Sequence, residues 1–279
     1  MTRFAVACML TLAVGCTIDA RVATVGPDGG VRFPTLRAGA TLPDEATCAA
    51  RVRAAPGEPR PANATANHTI PTAAQVAQLD PWDAARGFDA EGRAQALRQR
   101  VTGNFTGTTD EILQWAACKW GFDEDHVRAE AIHSSNWRQT LATDWADPAS
   151  GDCPEGAVTR DSNGAPECAQ TYGLFQVLWK YHKSAWPMYR ESSAYNVDLV
   201  FGLRRACFEG WDVSQGERDG HGKDYTADDE WGCLGAHFSG QWYDDGADAY
   251  ISSVQGQLAA HLWTMPEFCA STPGCVLPR

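Results

Sequence analysis

The chain has 279 residues, a formal net charge of −12 and 44% hydrophobic residues. That hydrophobic share excludes a wholly disordered polymer, and the length suits one sizeable domain with an extension. The acidic balance and the lack of a basic tract argue against nucleic acid as a partner but leave an uncharged sugar polymer open.

Arg3 followed by an apolar run from Phe4 to Val14, too short to span a bilayer, reads as an export signal. The run ends in Leu12-Ala-Val-Gly-Cys16, which looks like a bacterial lipoprotein signal over residues 1–15. That resemblance makes Cys16 the lipidation site and implies an exported, envelope-located protein held to a membrane by an N-terminal lipid. Ordinary cleavage near Ala20 is the alternative. No other run is long and apolar enough for a transmembrane helix.

Setting aside Cys8 in the signal and Cys16 leaves Cys48, Cys118, Cys153, Cys168, Cys207, Cys233, Cys269 and Cys275. An even set in an exported chain points to disulfides, and the absence of a Cys-x-x-Cys pair makes zinc the weaker reading. Connectivity stays open, although Cys153 with Cys168, Cys207 with Cys233 and Cys269 with Cys275 would each close a local loop.

Residues 16–75 are rich in Ala, Pro, Gly and Arg and are expected to form a flexible tether. Asn63-Ala-Thr and Asn67-His-Thr fit the glycosylation pattern, but beside a bacterial-type signal they read as unmodified linker. The folded domain is expected over 76–265, with a first helix near 84–100. Thr108-Thr-Asp-Glu111 has capping-box spacing and opens a helix that stops at Gly121. Asp123 caps the next helix, whose first turn carries Glu124 and Asp125. A Gly, Pro and Asp-rich loop over 144–170 follows. Ser192 or Ser193 caps a long amphipathic helix through Tyr195, Leu199, Leu203 and Ala206. Residues 212–229 read as a loop, 247–263 as a last amphipathic helix, and 266–279 as a tail with a Cys269–Cys275 loop. Strand-like runs are nearly absent. The expected fold class is mainly α, one helical domain with disulfide-braced loops.

Two stretches carry the functional reading: Val127-Arg-Ala-Glu-Ala-Ile-His-Ser-Ser-Asn-Trp-Arg-Gln139 and Tyr172-Gly-Leu-Phe-Gln-Val177. Together they resemble the paired motifs of the lysozyme-like lytic transglycosylases, which cleave peptidoglycan glycan strands. The resemblance covers roughly residues 108–263 and implies a lysozyme-like domain. In that family a helix ends in Glu-Ser, any residue, then an aromatic. Here Ser135 matches the serine and Trp137 the aromatic, so Ser134 stands where the family keeps its catalytic glutamate. Gly173, Leu174, Phe175 and Gln176 match the family's Gly-Leu-Met-Gln, with Phe175 for the methionine. The resemblance implies that Ser135, Trp137, Tyr172, Gly173, Leu174, Phe175, Gln176 and Phe238 line a glycan groove. Ala194 to Asp198 is similar to a third family region. Ala236-His-Phe-Ser-Gly240 stands where many members have Ala-x-Tyr-Asn, so Phe238 and Ser239 are a second departure.

Cleaving a glycosidic bond requires a carboxylic acid to protonate the leaving oxygen, and a serine hydroxyl cannot replace it. Glu130, one turn earlier, is a candidate substitute acid, although helical side chains lean toward the N-terminus and carry its carboxylate away. Its bland reading is an ion-paired helix residue. Asp144 and Asp147 lie in the following loop, where turn-capping is the better expectation. His133 beside Ser134 suggests a serine hydrolase only weakly, because adjacent helical residues point about 100 degrees apart. Trp137, Trp179, Trp186 and Trp242 are candidates to stack on sugar rings, though most tryptophans in a small helical domain are core. No close metal spacing occurs among the seven histidines, and no metal or cofactor is expected. Three readings follow: a peptidoglycan-binding relic that lost the acid, an active transglycosylase with a relocated acid at Glu130 or Asp144, and a structural or adhesive surface protein.

Overall fold

A computed structural model describes residues 32–79, 93–211 and 223–278. The export signal, Cys16, the front of the 84–100 helix and most of the 212–229 loop lie outside the described residues. The fold is mainly α with disulfide-braced loops.

Local signals explain where most helices begin and end. Helix α1 (Glu45–Arg51) is capped by Asp44, which accepts from the Thr47 amide at 2.7 Å. Short turns α2 (Ala64–Asn67), α3 (Ala73–Ala77) and α4 (Arg93–Arg98) lead to α5 (Thr109–Trp120). Helix α5 starts with the Thr108–Glu111 capping box and stops at Gly121, whose φ of 66° is in the left-handed region. Helix α6 (Glu124–Ser135) is capped by Asp123 and ends at Asn136, also left-handed.

After α6 come five short strands. Ala142–Thr143 (β1), Thr171–Tyr172 (β4) and Val177–Leu178 (β5) form an antiparallel sheet in the order β1-β4-β5. Val158–Arg160 (β2) and Pro166–Cys168 (β3) form a separate hairpin, pinned by the Cys153–Cys168 disulfide. Helix α7 (Met188–Glu191) precedes α8 (Ser193–Phe208), capped by Ser192. Helices α9 (Glu230–Ser239) and α10 (Asp245–Ala260) follow, and α11 (Pro266–Cys269) closes the chain. Cys207–Cys233 ties α8 to α9, and Cys269–Cys275 closes the tail.

All sixteen residues of α8 are buried, so the expected amphipathic helix has no solvent face. Its charges are met inside. Asp198 accepts from Lys119 Nζ, Trp120 Nε1 and the amides of Thr102 and Gly103. Arg205 donates to Glu209 and to the carbonyls of Leu36 and Arg37. Arg128 on α6 is buried likewise and binds Asp110, Glu124 and Asp125.

The tether expectation fails over residues 32–75, which pack on the domain. Cys48 is fully buried and bonded to Cys118 in α5. Arg60 lies 3.7 Å over the Phe268 ring and donates to both oxygens of Asn136, at 2.7 Å to the carbonyl and 2.9 Å to the side chain. Asn63 donates to the Trp137 carbonyl at 2.7 Å and accepts from the Gln139 amide at 2.9 Å. Asn63 and Asn67 are both buried, which leaves no room for a glycan on either. The segment binds through buried polar groups where bulky apolar residues are scarce, so composition alone misses it. The 266–279 tail is likewise integral, with Phe268 packed edge-on against Trp137 at 5.1 Å.

A further link joins the N-terminal segment to α6 and α9. Glu230 accepts from Thr35 Oγ1 at 2.7 Å and lies 2.9 Å from His126 Nδ1. Burial pushes the His126 imidazole down, but the Glu230 hydrogen bond and charge, with Asp123 and Asp125, outweigh it and hold the ring above its ordinary value. Burial pushes Glu230 up, but His126, Thr35 and Arg204 outweigh that and hold it below its ordinary value.

Two outcomes are expected. Replacing Cys48 and Cys118 by serine opens a loop of sequence separation 70. On chain entropy that costs roughly 4 kcal/mol, read from the denaturant midpoint; a loose tether would leave the midpoint nearly unmoved. The His126–Glu230 pair contributes fully between the ordinary values of 4.5 and 6.5. Its contribution fades as pH rises through the raised His126 value, and as pH falls through the lowered Glu230 value. A urea-midpoint series should therefore decline on the alkaline side in the native chain and stay flatter in His126→Gln.

Candidate functional site

The two sequence stretches meet in space. Ser135 Oγ, at the end of α6, donates to the Leu174 carbonyl at 2.8 Å. The turn it holds is shaped by Gly173, with φ of 87°; a Cβ there would stand 2.2 Å from Asn196 Nδ2. Gln139 Oε1 accepts from the Leu174 amide at 3.1 Å, and Asn196 Oδ1 accepts from the Phe175 amide at 3.0 Å. The turn is thus clamped from the exit of α6 and from α8. Gln139 ends the first stretch and Asn196 lies in the Ala194–Asp198 region, yet their clamping role is visible only in three dimensions.

Several expected groove residues turn inward. Trp137, Leu174, Phe175 and Ser135 are buried, so their side chains form the wall behind any groove and cannot touch a ligand. Trp137 Nε1 donates to the Arg128 carbonyl at 3.0 Å, and Phe175 packs edge-on to Phe201 at 5.0 Å. Trp242 is buried too, while Trp179 and Trp186 are half-buried. Tyr172 donates its hydroxyl to the Ala169 carbonyl at 2.6 Å. Gln176, with φ of 47°, accepts from Thr143 Oγ1 at 2.6 Å and donates to the Gly173 carbonyl at 2.8 Å. Phe238 is 58% exposed and stacks on Tyr250 at 4.4 Å. Trp145, which the sequence did not single out, is 52% exposed.

Where the resemblance leads one to expect a glutamate, Ser134 Oγ lies 3.0 Å from the Tyr250 hydroxyl. Tyr250 donates in turn to Glu130 at 3.4 Å. Burial, reinforced by the Glu130 charge, pushes the Tyr250 phenol far above its ordinary value, so it stays a proton donor. Both Glu130 oxygens are held by the Arg204 guanidinium, and Glu130 is only 1% exposed. Burial lowers the Arg204 value, but the Glu130 charge and hydrogen bonds outweigh it and the guanidinium remains charged. Glu130 is therefore an interior ion pair and cannot approach a bound sugar, which overturns its role as substitute acid.

The remaining candidates are also engaged. Burial pushes the His133 imidazole down, and its Nδ1 lies 2.9 Å from Ser253 Oγ, so no Ser134–His133 pair forms. Asp144, exposed and with φ of 54°, accepts from Thr171 Oγ1 at 2.9 Å. Asp147 caps a turn by accepting from the Ala149 amide at 2.9 Å. No group of three or more His, Cys, Asp or Glu able to hold a metal ion occurs among the described residues.

Two hollows stand out. One, about 300 Å³, opens beside the clamped turn, between Gln139, Tyr172, Trp145 and Arg190. The other, about 520 Å³, lies around His126 and Glu230 near the start of α6. The ends of α6 are roughly 16 Å apart by helical rise, so this second hollow is remote from Ser134. Its carboxylates are already occupied: Asp123 and Asp229 cap helices and Asp228 accepts from the Ala38 amide.

Glu130→Gln should leave Arg204 buried without its counter-charge and cost about 3–5 kcal/mol in the denaturant midpoint. A ligand-facing glutamate would tolerate the change, and a paired replacement with Arg204→Met should recover much of the loss.

No protein-family model, curated protein or solved structure matches the chain.

Proposed function

We propose that the chain is a peptidoglycan-directed envelope protein, related to the lytic transglycosylases, that binds glycan strands without cleaving them. The observation that carries this reading is the Ser134–Tyr250–Glu130–Arg204 chain. Where a transglycosylase needs a carboxylic acid there is a hydroxyl, and the nearest carboxylate on the helix is sealed in an ion pair.

The Ser135–Leu174 bond supports the register from which Ser134 is assigned. Phe238 and Trp145 offer exposed aromatic faces of the kind that stack on pyranose rings. Four disulfides among the described residues accord with export to an oxidising compartment, and the anchor is Cys16.

The test is product analysis of purified peptidoglycan incubated with the chain and with Ser134→Glu. The native protein is expected to sediment with peptidoglycan and to release no anhydro-muropeptides, while Ser134→Glu releases them. Release by the native chain that is lost in Asp144→Asn would overturn the reading in favour of a relocated acid.

A further inference from the structure

The smaller hollow has an unusual charge balance for this chain. Its lining holds one charged side chain, Arg190, and no carboxylate, in a protein of net charge −12. Other arginines of the fold are consumed internally: Arg128 and Arg204 by buried carboxylates, Arg205 by Glu209 and carbonyls. Arg190 makes no ion pair among the described residues, and its side chain is exposed. The guanidinium is not left to wander, because it lies over the rings of Tyr172 at 5.8 Å and Trp186 at 5.6 Å. Stacking of this kind keeps a guanidinium in place while its N–H groups still face outward.

The rest of the hollow suits a sugar. Trp145 brings an exposed flat ring, and Thr140 and Thr159 bring hydroxyls. Gln139 forms a rigid floor, with its amide nitrogen donating to the Tyr189 and Arg190 carbonyls at 2.9 Å and its oxygen held by Leu174. An aromatic face beside a fixed guanidinium is a receptor for a pyranose that carries a carboxylate.

We propose that this cleft recognises a carboxylate-bearing sugar, with Arg190 binding the carboxylate and Trp145 the ring; the assignment rests on the glycan-binding reading above. In a peptidoglycan strand the lactyl carboxyl of muramic acid is an uncharged amide wherever a stem peptide is attached. It is a free carboxylate only where the peptide has been removed. Arg190 therefore makes the protein a reader of peptide-stripped glycan. Stem peptides end in carboxylates of their own, which are the other source of the same chemistry.

The test measures binding of the purified chain to three strands: amidase-stripped, stripped with the lactyl carboxyls converted to amides, and peptide-bearing. Stripped strands should bind at least tenfold more tightly than amidated ones, with a preference that weakens in salt. Arg190→Gln should abolish that preference, bringing the affinity for stripped strands down to that for amidated ones; Arg190→Lys should keep part of it. Equal binding of stripped and amidated strands, unmoved by Arg190→Gln, overturns the inference and leaves glycan binding standing. Tightest, Arg190-dependent binding of peptide-bearing strands overturns the lactyl assignment in favour of the stem carboxylate. Failure of every strand to bind overturns the glycan reading and this inference together.

Discussion

Helix α8 is buried along all sixteen residues and still carries Asp198, Arg204 and Arg205. A charge withdrawn from water on every side must be matched within the protein, and the matches prescribe where neighbouring elements go. Asp198 draws Lys119 and Trp120 of α5. Arg204 fixes the face of α6 that presents Glu130. Arg205 collects carbonyls from the N-terminal segment and from the end of α5. Asn196, on the same helix, then clamps the Gly173 turn. The orientation of the candidate site is thus a by-product of neutralising one interior helix.

What the sequence reveals about this fold is what depends on near neighbours. The Thr108 and Asp123 caps, the Gly121 stop and the Ser192 start are all decided within four residues, and all are found. The packed N-terminal segment escapes composition because its contacts are polar and distant: Arg60 with Asn136, Asn63 with Trp137, Glu58 with Thr109. The full burial of α8 escapes periodicity for a related reason, since its charged residues imitate a solvent face until their partners are known.

The candidate site divides in the same way. Ser135 and Gly173 are legible because the first fixes a backbone carbonyl and the second a left-handed turn, demands that single residue types can announce. The neighbours Trp137, Leu174 and Phe175 belong to the same stretches but pack into the core, and which side of a tight turn or helix end is buried depends on distant partners such as Arg128 and Phe201. Tyr250 was out of reach, being 116 residues from Ser134 and 120 from Glu130. Its phenol, kept protonated by burial, stands beside the Ser134 hydroxyl and joins it to Glu130.

The Cys48–Cys118 bridge also sets how the molecule carries force. Tension applied to the chain ahead of residue 32 can peel the backbone only as far as Cys48. From there the load crosses a covalent bond into helix α5 of the core and bypasses the stretch between the two cysteines, whose sequence separation is 70. Glu58, Arg60 and Asn63 lie inside that shielded loop. A segment joined to the core through dispersed polar contacts is thus shielded from a pull on its own N-terminus by one covalent bond.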